Sequence, residues 1–145
     1  MGFLEASAIV RWSGWTGSIA GDSGALDAPT ATQEELGGPG QGTNPEELLA
    51  AAHANCFTST LTSLGRARGV MLEEVATRAT ARLEWDDEMH DHHLVASDLS
   101  LTIRSSSTAE AVRLLVREAE ERCPVCRAIA GNVSMTVTVD IVPAH

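Results

Sequence analysis

The sequence predicts an α+β domain in which antiparallel strands pack against two helices. Three patterns carry that reading. Val75, Thr77, Ala79, Ala81, Leu83 and Trp85 alternate with Ala76, Arg78, Thr80, Arg82 and Glu84, the period of a strand with one wet face. The alternation resumes at Leu99, Leu101 and Ile103 beyond the polar turn DDEMHDHH, which makes an antiparallel hairpin. On either side of the hairpin lies a stretch with helical spacing instead. No repeat and no second domain is visible, so residues 1–145 read as one domain.

Taken in order, the chain opens with short strands. Ala8, Val10 and Trp12 point one way and Ile9 and Arg11 the other, and the stretch SGWTGSIAGDSG places turns between further strands. GGPGQG, Gly37 to Gly42, is a loop with neither period. A helix then starts: Asn44 can cap it, Pro45 suits its first turn, and Glu47 stands three residues after the cap. It is expected to run to about Arg68 and stop at Gly69. Ala50, Ala51, Ala52 and Ala54 allow another backbone to approach closely. Leu49, Ala52 and Cys56 share a stripe, which places Cys56 well inside a buried helix.

After the hairpin, Ser107 and Glu110 form a capping-box signature, and Val112, Leu115, Val116 and Ala119 fall at helical spacing. Cys123 returns to that apolar face. Pro124 disfavours helical geometry at the residue before it, so Cys123 lies at or near the helix end. A last strand has Val133, Met135, Val137, Val139 and Ile141 on one face.

Composition excludes several functions. An apolar fraction of 43% with 21% charged residues fits a soluble globular chain and not a disordered one. Nucleic acid or an anionic membrane would need a basic surface, and the net charge is -10. No apolar run is long enough to span a bilayer, and the first residues lack the order of a secretory signal. Three cysteines make a poor disulfide framework and point to a reducing cytoplasm with a few working thiols. No glycine-rich phosphate fingerprint follows a strand, and no metal, flavin or nucleotide cofactor is expected.

The cysteines leave three arrangements open. Cys123 and Cys126 could form a CxxC redox pair, but such a pair works best at a helix N-terminus, and the preceding helix ends at Cys123. They could be half of a zinc knuckle completed by Cys56 and His53, although His53 sits among alanines in mid-helix. His90 to His93 could suggest a surface metal site, but a solvated turn explains them better. Finally, Cys56 and Cys123 both fall on inward helical stripes. There they are either small hydrophobes or a peroxide-attacking thiol with its resolving partner, and spacing does not choose between the two.

TNPEELLAAAHANCF, Thr43 to Phe57, followed far downstream by CPVCRAIAGNVSMTVTV, Cys123 to Val139, resembles the OsmC/Ohr family of osmotically inducible and organic-hydroperoxide-resistance proteins. The resemblance covers essentially the whole chain. It implies antiparallel sheets wrapped around long central helices in an intertwined homodimer with active sites at the subunit interface. It also implies a thiol peroxidase that reduces organic hydroperoxides, with Cys56 as peroxidatic and Cys123 as resolving cysteine, re-reduced by an external dithiol. Glu46, in the NPE motif, matches the glutamate that holds the family's catalytic arginine. Being acidic, it also suits the first turn of a helix. Ten residues of unbroken helix rise about 15 Å, so Glu46 reaches Cys56 only through a long bridging side chain, a break or the other subunit.

The chain departs from the pattern in two places. Neither SGWTGSIAG nor PTATQEELGGPGQG, the stretches where the arginine belongs, contains one; Arg11 and Arg127 are the nearby alternatives. Cys126 stands where the family commonly has serine. His53, close to Cys56 on the helix, reads as a core or interface residue rather than a general base. Two other classes compete with the peroxidase: a non-catalytic binder of an apolar ligand, which the missing arginine favours, and a redox-sensing or metal-holding thiol protein built on Cys123 and Cys126.

Overall fold

A computed structural model describes residues 2–145. The chain forms two compact units, one ending at Leu48 and the other starting at Leu49. Helix α1, Pro45–Arg68, belongs to both.

In the N-terminal unit, β1 (Ala8–Ser13), β2 (Thr16–Gly21) and β3 (Asp27–Ala31) form an antiparallel meander in that order. The β1–β2 turn is only Gly14-Trp15, with Ser13 paired to Thr16; Gly14 takes φ +65°, which glycine adopts without strain. β1 is exposed along its whole length, Val10 and Trp12 included. A single 3₁₀ turn at Glu34–Leu36 precedes the glycine-rich loop. The helix start is as read: Asn44 Oδ1 accepts from the N–H of Glu47 at 2.8 Å. The Glu47 carboxylate does not complete a capping box, because it accepts from the Thr43 hydroxyl at 2.8 Å instead.

In the C-terminal unit, β4 (Leu72–Asp86) and β5 (Asp91–Ser105) make the expected hairpin, with Thr77 opposite Leu101 and Val75 opposite Ile103. The turn is shorter than the polar run suggested. His92 and His93 are already in β5, His92 packing edge-on against Trp85. α1 ends at Arg68, and Gly69 follows with φ +69°. α2 spans Ala109–Arg122 and is capped by Thr108, whose Oγ1 accepts from the N–H of Ala111. Ser107 is not the cap; its hydroxyl is taken by the N–H of Met71.

Two features depart from the sequence reading. A third helix, α3 (Pro124–Ile129), follows α2 directly. β6 (Val137–Pro143) pairs parallel to β5, so the sheet β4-β5-β6 is mixed, not antiparallel. The chain leaves β5, passes through α2 and α3, and re-enters in the same direction, which is the crossover that a parallel neighbour requires.

Leu99, Leu101 and Ile103 of β5 alternate with exposed Ser100 and Thr102, so the sheet has one wet face. The dry face meets Phe57, Leu61 and Leu64 of α1 and Val112, Leu115, Val116 and Ala119 of α2. Each large apolar side chain buried there contributes about 1.5–3 kcal/mol. Among the described residues, no helix is long and apolar enough to cross a membrane.

Candidate thiol site

The inward stripe of α1 is His53, Phe57, Leu61 and Leu64, spaced by three and four residues. Cys56 borders that stripe and does not lie within it. It is half-buried, and Ala52, expected beside it in the interior, is exposed. Solvent therefore reaches Cys56, where the sequence reading had it enclosed.

Cys123 joins α2 to α3. Proline disfavours helical geometry in the preceding residue and suits the first position of a new helix. Cys123 accordingly takes an extended backbone (φ -63°, ψ 119°). Its N–H closes α2 on the carbonyl of Ala119 at 2.8 Å, while its Sγ caps α3 by accepting from the N–H of Cys126 at 3.4 Å. Cys123 thus lies at the end of α2, as expected, and it also opens α3.

The three sulfurs form one cluster. Cys56 packs against the core cluster that contains Cys123 and Cys126, and Cys123 raises the pKa of both other thiols. All three are free. Burial pushes the Cys56 thiol above its ordinary value, the N–H of Val125 works against this, and the contact with Cys123 raises it further. None of these influences is a cation. Cys126 is pushed up to about 12, by burial first, then by the hydrogen bond and charge of Cys123, then by Glu120.

Behind Cys126 lies His53, fully buried, with Nε2 3.3 Å from the Cys126 sulfur and Nδ1 2.7 Å from Ser97 Oγ. Burial lowers the pKa of the imidazole, and the charge of Asp98 opposes this, so the ring is neutral at neutral pH. His53 is a core residue, as expected, and it serves Cys126 rather than Cys56. Ser97 was missed. It shares the parity of Leu99, Leu101 and Ile103, and a polar residue on the dry face of a strand needs a buried partner. That was the available signal.

Of the predicted site residues, the structure brings Cys56 and Cys123 together. Glu46 lies in the first turn of α1 in the N-terminal unit, where its Oε2 accepts from Gln33 Nε2 at 2.8 Å. Both line a cleft of about 440 Å³ whose walls include Val10, Trp12, Ile19 and Leu36. The carboxylate expected to hold an arginine therefore holds an amide, and no sequence signal marked Gln33. Arg11 and Arg127 are exposed and belong to none of the observed ion pairs. Phe57, Val112 and Leu115 are packed core residues. Among the described residues, no group of three or more His, Cys, Asp or Glu side chains is arranged to hold a metal ion.

Fold and site define a class: a mixed α+β protein in which a partly buried cysteine of α1 packs against two buried cysteines where α2 passes into α3. The chain belongs to the OsmC-like protein family, whose model matches residues 38–138. It is 30% identical to the organic hydroperoxide resistance protein OsmC of Legionella pneumophila, with a TM-score of 0.84 over 97% of this chain and 99% of that one. The organic hydroperoxide resistance protein OhrB of Bacillus subtilis matches at 26% identity and a TM-score of 0.78, covering 94% and 98% of the two chains. An organic hydroperoxide resistance protein-like relative in Staphylococcus aureus is 29% identical over 129 residues, 89% of this chain and 90% of the relative.

Proposed function

We propose that this protein is a thiol peroxidase that reduces organic hydroperoxides to alcohols in oxidative stress defence. The observation that carries the reading is the packing of the partly buried Cys56 against the cluster that holds the buried thiol of Cys123. As thiolate, Cys56 attacks the distal oxygen of ROOH; the O–O bond breaks, ROH leaves with a proton, and Cys56 becomes a sulfenic acid. Cys123 then attacks the Cys56 sulfur and water leaves, which forms the Cys56–Cys123 disulfide. An external dithiol restores both thiols by exchange.

The N–H of Val125 favours the Cys56 thiolate against burial. Glu46 belongs to the same machinery as an anchor for a cation; Gln33 takes Oε2 and leaves Oε1 for that group. A homodimer goes with this reading, since Val10 and Trp12, which share one face of β1, are about half exposed, an apolar face that a second copy would cover. Three free thiols suit a reducing, cytoplasmic setting. One observation favours a second reading, a binder of an apolar ligand: the largely apolar cleft beside Glu46 in the N-terminal unit.

The test is consumption of cumene hydroperoxide with dithiothreitol as reductant. Cys56→Ser is expected to abolish turnover. Undiminished turnover in that variant rules out the mechanism proposed here, and absence of turnover in the wild type leaves the binder.

A further inference from the structure

Cys126 and His53 have no part in the chemistry above, yet both are fully buried and touch each other beside the sulfur on which that chemistry ends. Cys123 influences the thiols of both Cys56 and Cys126, and Cys56 packs against the cluster that holds the other two. Cys123 and Cys126 stand one helical turn apart, and the Cys123 sulfur already points along that turn to the N–H of Cys126 at 3.4 Å. Residues so spaced have Cβ atoms about 5–6 Å apart, within a small backbone adjustment of disulfide geometry.

The geometry points to a disulfide relay, in which Cys126 displaces Cys56 from the Cys56–Cys123 disulfide, His53 taking the proton of the Cys126 thiol. The step rests on the peroxidase reading, which supplies that first disulfide. It breaks the Cys56–Cys123 bond and forms the Cys123–Cys126 bond, so no electrons enter or leave. The proton of Cys126 passes to His53 Nε2, and Cys56 departs as a thiolate that then recovers a proton.

Each part of the step has a residue on hand. A thiol as firmly protonated as Cys126 does not attack without a base, and neutral His53 lies against it. With Nδ1–H donating to Ser97 Oγ, the ring presents the Nε2 lone pair to the sulfur. The N–H of Val125 lowers the pKa of the leaving sulfur, Cys56, and so favours it as thiolate. The oxidised centre thereby moves from a solvent-reached position to a buried one, and Cys56 is left reduced.

The test exploits the placement of arginines. Trypsin cuts after Arg122 and Arg127, so Cys123 and Cys126 leave together in the peptide CPVCR, while Cys56 leaves in the peptide 12–66. Reduced wild-type protein is treated with one equivalent of cumene hydroperoxide, quenched in acid at intervals, unfolded, alkylated and digested. The expected course is an early cross-link between the Cys56 peptide and CPVCR. It is replaced by CPVCR carrying no alkyl group and lacking two hydrogens, with Cys56 alkylated. In Cys126→Ser the cross-link persists. In His53→Gln the rate of the second stage relative to the first falls roughly a hundredfold; an unchanged ratio removes His53 from the step. Wild-type protein that keeps the cross-link, with Cys126 alkylated throughout, overturns the relay and leaves the peroxidase standing. If Cys56 enters no disulfide at any time, the two-cysteine mechanism falls and the relay with it.

Discussion

Alkaline pH is expected to destabilise the folded chain chiefly through the sulfur of Cys126. The chain has no lysine and no tyrosine, so between about pH 9 and pH 12 its cysteines are the side chains that titrate. Cys126 is 1% exposed, and its thiol is raised from 9.0 to about 12 by burial, by Cys123 and by Glu120. Below pH 9 the thiol is protonated in both states and costs nothing. Above it the unfolded chain releases the proton while the native state keeps it. The unfolded state then binds fewer protons, and stability falls as pH rises.

The slope is about 1.4 kcal/mol per pH unit, and the three units amount to about 4 kcal/mol, a large share of a typical domain's stability. Cys56 is raised as well and works in the same direction, so the comparison must be with Cys126→Ser. The serine hydroxyl stays protonated here and can still bond to His53. Urea unfolding of both proteins under reducing conditions at about pH 8 and pH 11 reads the effect. The stability difference is expected to move by a few kcal/mol in favour of the variant. A difference that does not change with pH would refute the idea that burial holds the Cys126 proton.

Three further outcomes follow from the same geometry. Alkylation of Cys56 by iodoacetamide in the folded, reduced protein is expected to be still climbing at about pH 9, where a short peptide containing Cys56 begins to level off; a plateau at lower pH would mean that a cation acts on it. Ser97→Ala strips His53 Nδ1 of its hydrogen-bond partner in a fully buried site and is expected to cost about 1–3 kcal/mol in urea unfolding, whereas a cost near zero would place water there. Leu101→Ala removes a 1% exposed side chain from the middle of the central strand, between Thr77 and Val139, and is expected to cost about 2–5 kcal/mol.

Much of this molecule was legible from local pattern. The ends of α1 could be read because Asn44, Pro45 and Gly69 each act within one turn. The hairpin could be read because one wet face imposes alternation. The parallel pairing of β6 could not. Val137, Val139 and Ile141 show which face is dry but not which strand is the neighbour or in which direction it runs. α3 escaped because a six-residue helix has no period, and because a proline that ends one helix serves equally well to open the next. At the site, Cys56 and Cys123 were identified by resemblance and brought together by the fold. The contact of His53 with Cys126 joins α1 to α3, and only coordinates report such a contact. Ser97 lay within reach of strand parity alone, whereas the Gln33–Glu46 hydrogen bond joins a loop to a helix start, and no periodicity links those positions.

The most direct test of the central claim is capture of the first intermediate. In a Cys123→Ser, Cys126→Ser protein, treatment with cumene hydroperoxide and dimedone is expected to place one adduct on the peptide 12–66, at Cys56, in proportion to hydroperoxide consumed. Hydroperoxide consumed with no adduct at Cys56, or no consumption at all, would contradict the assignment of Cys56 as the attacking thiol.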